Sequence, residues 1–150
     1  MKLNLKQIAI AGIVGTLAFD LVGLLITGQW WDIPGLLSGK LGIGLAGGVI
    51  GHYGNGLILA VIYAAVAPSL WGSSLARALT YITVQTIFGV WLFMLPLLGM
   101  GFAGLEASAM IPVITLVRHW AYGLVLAYAI TLPEAHIQES VEQARTSAAA

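Results

Sequence analysis

Four side chains carry most of the chemistry in the apolar stretches of this chain: Asp20, His52, Arg118 and His119. Imidazole nitrogens ligate metals and haem iron or relay protons. A carboxylate and a guanidinium neutralise each other. The stretch "LVRHWAYGLV" places Arg118 and His119 in an apolar run with no turn signal. On insertion scales a charge at the centre of such a helix costs about 2.5–3.5 kcal/mol, so it faces the bundle interior and takes a partner. Asp20 is the expected partner of Arg118, and the two form a structural ion pair. Tyr122 follows Arg118 by four residues and His119 by three, so it shares their helix face, and Asn55 stands in the same relation to His52. Trp91 and Met94 are the supporting residues of a third apolar run.

The elements that position these residues follow from composition. The chain of 150 residues is 59% hydrophobic and 8% charged, with a mean hydropathy of +0.96. Soluble domains carry roughly 25% charged residues, so this chain lacks the polar surface a water-facing domain needs. Hydrophobic windows fall at about 7–27, 43–66, 79–98 and 111–132. Each approaches the roughly 20 residues that a helix needs to cross hydrocarbon, and backbone groups in lipid must be satisfied within the segment. The expected fold is all-α: an integral membrane four-helix bundle over 1–132, followed by a polar cytoplasmic tail over 133–150 that contains His136. The first window is long for a signal peptide and contains Asp20, which favours a retained span. Pro96 is the only expected break within a span.

Counting inward converges on one level. Asp20 lies seven residues before Thr27, His52 nine residues into span 2, and Arg118 and His119 seven and eight into span 4. At 1.5 Å per residue all four lie about 10–14 Å below the outer boundary. Lys2, Lys6, Arg77 and Arg145 fall on one side of a four-span chain and Lys40 on the other, which places both termini in the cytoplasm. Trp30, Trp31 and Trp71 flank spans. The connection "GQWWDIPGLLSGKLG" is apolar enough to lie along the outer interface, whereas Glu106 in the 99–110 connection is solvated.

"HYGNGLILA" from His52 and "HWAYGLVLA" from His119 share His, an aromatic, Gly, Leu, a β-branched residue, Leu and Ala in one order. Two repeated helical hairpins, spans 1–2 and 3–4, account for the match, as in parallel-repeat transporters. Coincidence within a Gly, Leu and Ala alphabet is the alternative. Gly42, Gly44 and Gly47 spell a dinucleotide-binding pattern, but no strand precedes them and no acid follows at the required distance. Gly44/Gly48, Gly47/Gly51 and Ala11/Gly15 instead form small faces suited to close helix packing.

The segments "TLAFD", "GHYGNGLILAVIYAAVAP", "LPLLGMGFAG" and "RHWAYGLVLAYAI" resemble those of an uncharacterised family of small four-span bacterial membrane proteins, a domain of unknown function. The resemblance covers residues 5–132. It implies a four-helix membrane fold in the bacterial inner (cytoplasmic) membrane and assigns no catalytic residue.

Three functions follow as expectations. An accessory or cofactor-holding subunit of a larger membrane complex, or a homo-oligomer, would use His52 and His119 as axial ligands to a haem or chlorophyll-type ring. It could equally hold a metal with Asp20 or Met94. A small proton-coupled transporter is the alternative, favoured by ionisable groups in mid-membrane. An enzyme has least support, with no G-x-S-x-G, H-E-x-x-H or acidic metal cluster. Zero cysteines exclude thiolate chemistry, and a formal charge of zero offers nothing to nucleic acid.

Overall fold

The structure, a computed structural model, describes residues 4–130 and 146–147. Lys2, His136, Arg145 and most of the tail therefore lie outside the described residues. Four helices are long and apolar enough to cross a membrane: Leu5–Thr27, Gly44–Ser69, Ser74–Leu97 and Ile111–Ala129. They match the expected windows to within a few residues. No strand occurs among the described residues.

Helix α1 (Leu5–Thr27) starts at Asn4, whose side chain accepts the Gln7 N–H at 3.2 Å, and stops at Gly28 with φ 72°. Only a residue free to enter the left-handed region ends a helix this way without strain. The expected interfacial connection forms a helix of its own, α2 (Asp32–Leu41), with Asp32 in its first turn and Lys40 in its last. Both charges complement the helix dipole. Helix α3 (Gly44–Val66) continues as a 3-10 turn over Ala67–Ser69, and α4 (Ser74–Gln85) opens on Ser73, which caps Ala76.

The third span does not remain an α-helix. From Thr86 to Met94 it is a π-helix, before one α-turn, α5 (Leu95–Leu97), that contains Pro96. Two local features favour the change. The Thr86 hydroxyl donates to the Ile82 carbonyl at 2.7 Å and competes with the backbone ladder. Pro96 has no N–H to return one turn, and the Leu95 N–H reaches back to Val90. The break therefore covers nine residues of the 24-residue span rather than Pro96 alone. The last helix is α6 (Ile111–Ala129).

Helix α1 lies between α3 and α6, with α4 against the far side of α6 and α2 laid across α3. Close approach of α1 and α3 depends on small residues. A Cβ on Gly56 would land on the Thr16 hydroxyl, and one on Gly12 would come 2.9 Å from the Leu57 backbone. The Tyr122 hydroxyl donates to the Gly56 carbonyl at 2.6 Å and draws α6 into the same crossing. The expected Gly44/Gly48 and Gly47/Gly51 faces do not pack a spanning helix. Gly44 and Gly51 face open space, while Gly48 abuts the Pro34 carbonyl of α2, because α2 rather than a span covers that part of α3.

The two halves of the bundle differ. Away from α2, the core is closed by Ile8, Ala11, Ala60, Tyr63, Ala64, Ala78, Ile82 and Leu126, all almost fully buried. There α3 and α4 are joined by tyrosines: the Tyr81 hydroxyl donates to the Leu59 carbonyl at 2.9 Å, and the Tyr63 and Tyr81 rings lie 5.4 Å apart. Toward α2 the interior opens into a cavity bordered by α2, α3 and the π-helix.

Candidate functional site

Asp20 is buried on α1 and fully engaged from α3. The His52 Nε2 lies 2.9 Å from Oδ1, and the Tyr53 hydroxyl donates to Oδ2 at 3.1 Å. Consecutive helix residues point about 100° apart, so His52 and Tyr53 take the two carboxylate oxygens from different sides. A carboxylate only accepts, so His52 Nε2 carries the proton in this contact.

The expected ion pair of Arg118 with Asp20 is present but is not the arginine's closest contact. Its guanidinium reaches Asp20 at 3.8 Å without a hydrogen bond. Its two-pronged partner is Asp32 of α2, at 2.6 and 2.8 Å. Asp32 sits at the N-terminus of a helix that folds back over the bundle, so a residue placed outside the spans by sequence reaches the buried layer. The arginine passes α1 at Gly23, where a Cβ would collide with the guanidinium, and stacks 4.2 Å above the Phe19 ring. Gly23 is the opening that admits the arginine.

His119 is buried on α6. Its Nδ1 donates to the Thr115 carbonyl at 2.6 Å, since a carbonyl can only accept. Thr115 also accepts the Trp91 indole N–H at 2.9 Å, which couples the π-helix to the same turn of α6. Phe19 touches both histidines, with ring centroids 5.4 Å from His52 and 4.9 Å from His119. The two rings meet a shared phenyl side chain rather than each other.

His52 and His119 nevertheless border one cavity of about 510 Å³. Its wall comprises Thr16 and Phe19 of α1, Ile33, Leu36, Leu37 and Leu41 of α2, and Gly51, Asn55, Gly56 and Leu59 of α3. Gln85, Gly89, Val90, Phe93, Met94 and Leu95 of the third span complete it with Thr115 and Tyr122 of α6. Asn55, Met94 and Tyr122 thus stand where the site was expected, and Trp91 supports it through Thr115. Tyr122 points to Gly56 and makes no hydrogen bond to Arg118 or His119. Phe19, Asp32, Tyr53, Gln85 and Thr115 were not among the expected site residues. Two signals were present in the sequence: Tyr53 directly follows His52, and Thr115 precedes His119 by one helical turn.

No group of three or more His, Cys, Asp or Glu suited to a metal ion occurs among the described residues. The Gly42–Gly47 pattern lies at a helix start with no strand before it. Known protein families, curated proteins and solved structures offer no match to the chain.

Proposed function

We propose that this chain is a small subunit of the bacterial inner membrane that holds a lipid-soluble ligand for a larger membrane complex. The observation that carries the reading is the cavity. It is sized for a drug-like molecule, walled largely by apolar side chains from every span and edged by two imidazoles, which is the usual make-up of a ligand site. Both termini face the cytoplasm in this reading, on the charge distribution of Lys6 and Arg77 against Lys40, and the cavity opens in the outer half. Duplication of a helical hairpin supplies the two histidines.

Haem ligation is the narrower form of the proposal. His119 fits it, because its Nδ1–H rests on a backbone carbonyl and leaves Nε2 free, as in most ligating histidines. His52 fits less well, because Asp20 occupies its Nε2. The test is to purify the chain from its native membrane in mild detergent, record its spectrum and extract it into organic solvent. A stoichiometric lipid-soluble compound is expected, with a Soret band if it is haem. Gly51→Phe should remove it, since a side chain at Gly51 meets open space beside the cavity. Preparations of both chains free of any bound compound would refute the proposal.

A proton-coupled carrier is the second reading, and the contact of Asp20 with His52 and Tyr53 favours it. Away from α2 the described residues form a tightly buried core. Proton-dependent uptake by reconstituted vesicles would select this reading over the first.

A further inference from the structure

The polar atoms on the cavity wall are unequally spent. Most donors are already used within the protein. The Thr16 hydroxyl donates to the Gly12 carbonyl, the Tyr122 hydroxyl to Gly56, and the Thr115 hydroxyl to Ile111. His52 Nε2 is turned to Asp20. One acceptor that faces the cavity remains. His119 donates through Nδ1, so in the neutral ring Nε2 presents a lone pair, and no protein group donates to it. Gln85 Oε1 has no hydrogen-bond partner but is sealed from the cavity, and the donor end of that side chain, its NH2, lies over Gly89. Gln85 precedes the π-helix by one residue, so the change of helix type and the unpaired carbonyl coincide on one wall. Asn55, exposed on α3, offers both a donor and an acceptor and discriminates neither way.

An acceptor left unpaired in an apolar wall is desolvated at a cost until something donates to it. We infer that the cavity ligand is a hydrogen-bond donor: a lipid-soluble molecule with a hydroxyl group, its O–H received by His119 Nε2 and its apolar body lying along Phe93, Met94 and the α2 leucines. The inference rests on the ligand-holding reading and adds the chemical class of the head group. An ether or ketone of the same shape leaves His119 Nε2 unpaired and is disfavoured.

The probes are 4-octylphenol and 4-octylanisole, which differ by one methyl group on the oxygen. Binding to the detergent-purified chain is read by calorimetry. The phenol is expected to bind about tenfold more tightly than the anisole, the discrimination of roughly one hydrogen bond. His119→Phe is expected to lower that ratio toward one, with thermal unfolding followed by circular dichroism reporting that the variant is folded. Equal affinity for the two probes, weakened alike by Gly51→Phe, would overturn the donor requirement and leave the ligand-holding reading intact. Probe binding unaffected by Gly51→Phe would remove both. A phenol preference unchanged in His119→Phe, or no binding of either probe, would overturn the assignment to His119.

Discussion

Arg118 and Asp32, 86 residues apart in the chain, close a two-pronged ion pair at 2.6 and 2.8 Å. The pair fastens α2 to α6, while α1 is passed by way of Gly23 and Phe19. Removing one partner of a buried pair costs about 3–5 kcal/mol, because the other charge is left uncompensated. Asp32 is partly exposed, its side chain at 20%, so its share is smaller. Arg118→Leu should therefore destabilise the detergent-solubilised protein more than Asp32→Asn. A double-mutant cycle should give about 1–3 kcal/mol between Arg118 and Asp32, and less between Arg118 and Asp20. Thermal unfolding followed by circular dichroism measures both. A larger coupling to Asp20 would reverse the assignment.

Gly23→Ala adds only a methyl group, yet that methyl would overlap the Arg118 guanidinium. The arginine must move, and its contact with Asp32 goes with it. The expected loss approaches that of Asp32→Asn and vanishes in an Arg118→Leu background, where the space is free. Gly28→Ala is no substitute control, because its φ of 72° strains any other residue. A Gly23→Ala loss that persists after Arg118 is removed would contradict the steric account.

Gly56 and Tyr122 hold three helices at one crossing. Tyr122→Phe removes the donor to the Gly56 carbonyl and should cost about 0.5–1.5 kcal/mol. Gly56→Ala drives a Cβ into the Thr16 hydroxyl against the backbone of α1 and should cost more. The reverse order in unfolding midpoints would show that the hydrogen bond, not close packing, secures the crossing.

The chain has no cysteine, so single introduced thiols report orientation cleanly. Ser108→Cys, in the connection before α6, should react with a membrane-impermeant maleimide applied to intact spheroplasts. Ser140→Cys should react only after permeabilisation. The opposite pattern would invert the orientation proposed from Lys6, Arg77 and Lys40.

The spans were legible in the sequence because a crossing helix must be apolar over its whole length, and hydropathy records that directly. The level of Asp20, His52, Arg118 and His119 was legible too, since rise per residue converts position into depth. Azimuth was not. Depth alone joined Arg118 to Asp20, whereas the guanidinium turns to Asp32, which depth counting had assigned to the connection. The π-helix was hidden for a different reason: "TIFGVWLFM" is as apolar as any α-helical span, and its cause lies in the Thr86 hydroxyl and Pro96 at its two ends. The cavity had no signal at all, because a gap between helices is a relation among residues far apart in the chain.

The π-helix also bears on how this protein can change over generations. An extra residue held within a helix rotates everything beyond it by about 100°, so the faces before and after Thr86–Met94 follow different registers. A substitution at Val90 or Phe93 trims one side chain of the wall. A single-codon deletion within the segment would turn Trp91 away from Thr115 and present a different set of side chains to the interior. For this wall, insertion and deletion are the large steps of adaptation and point mutation the small ones.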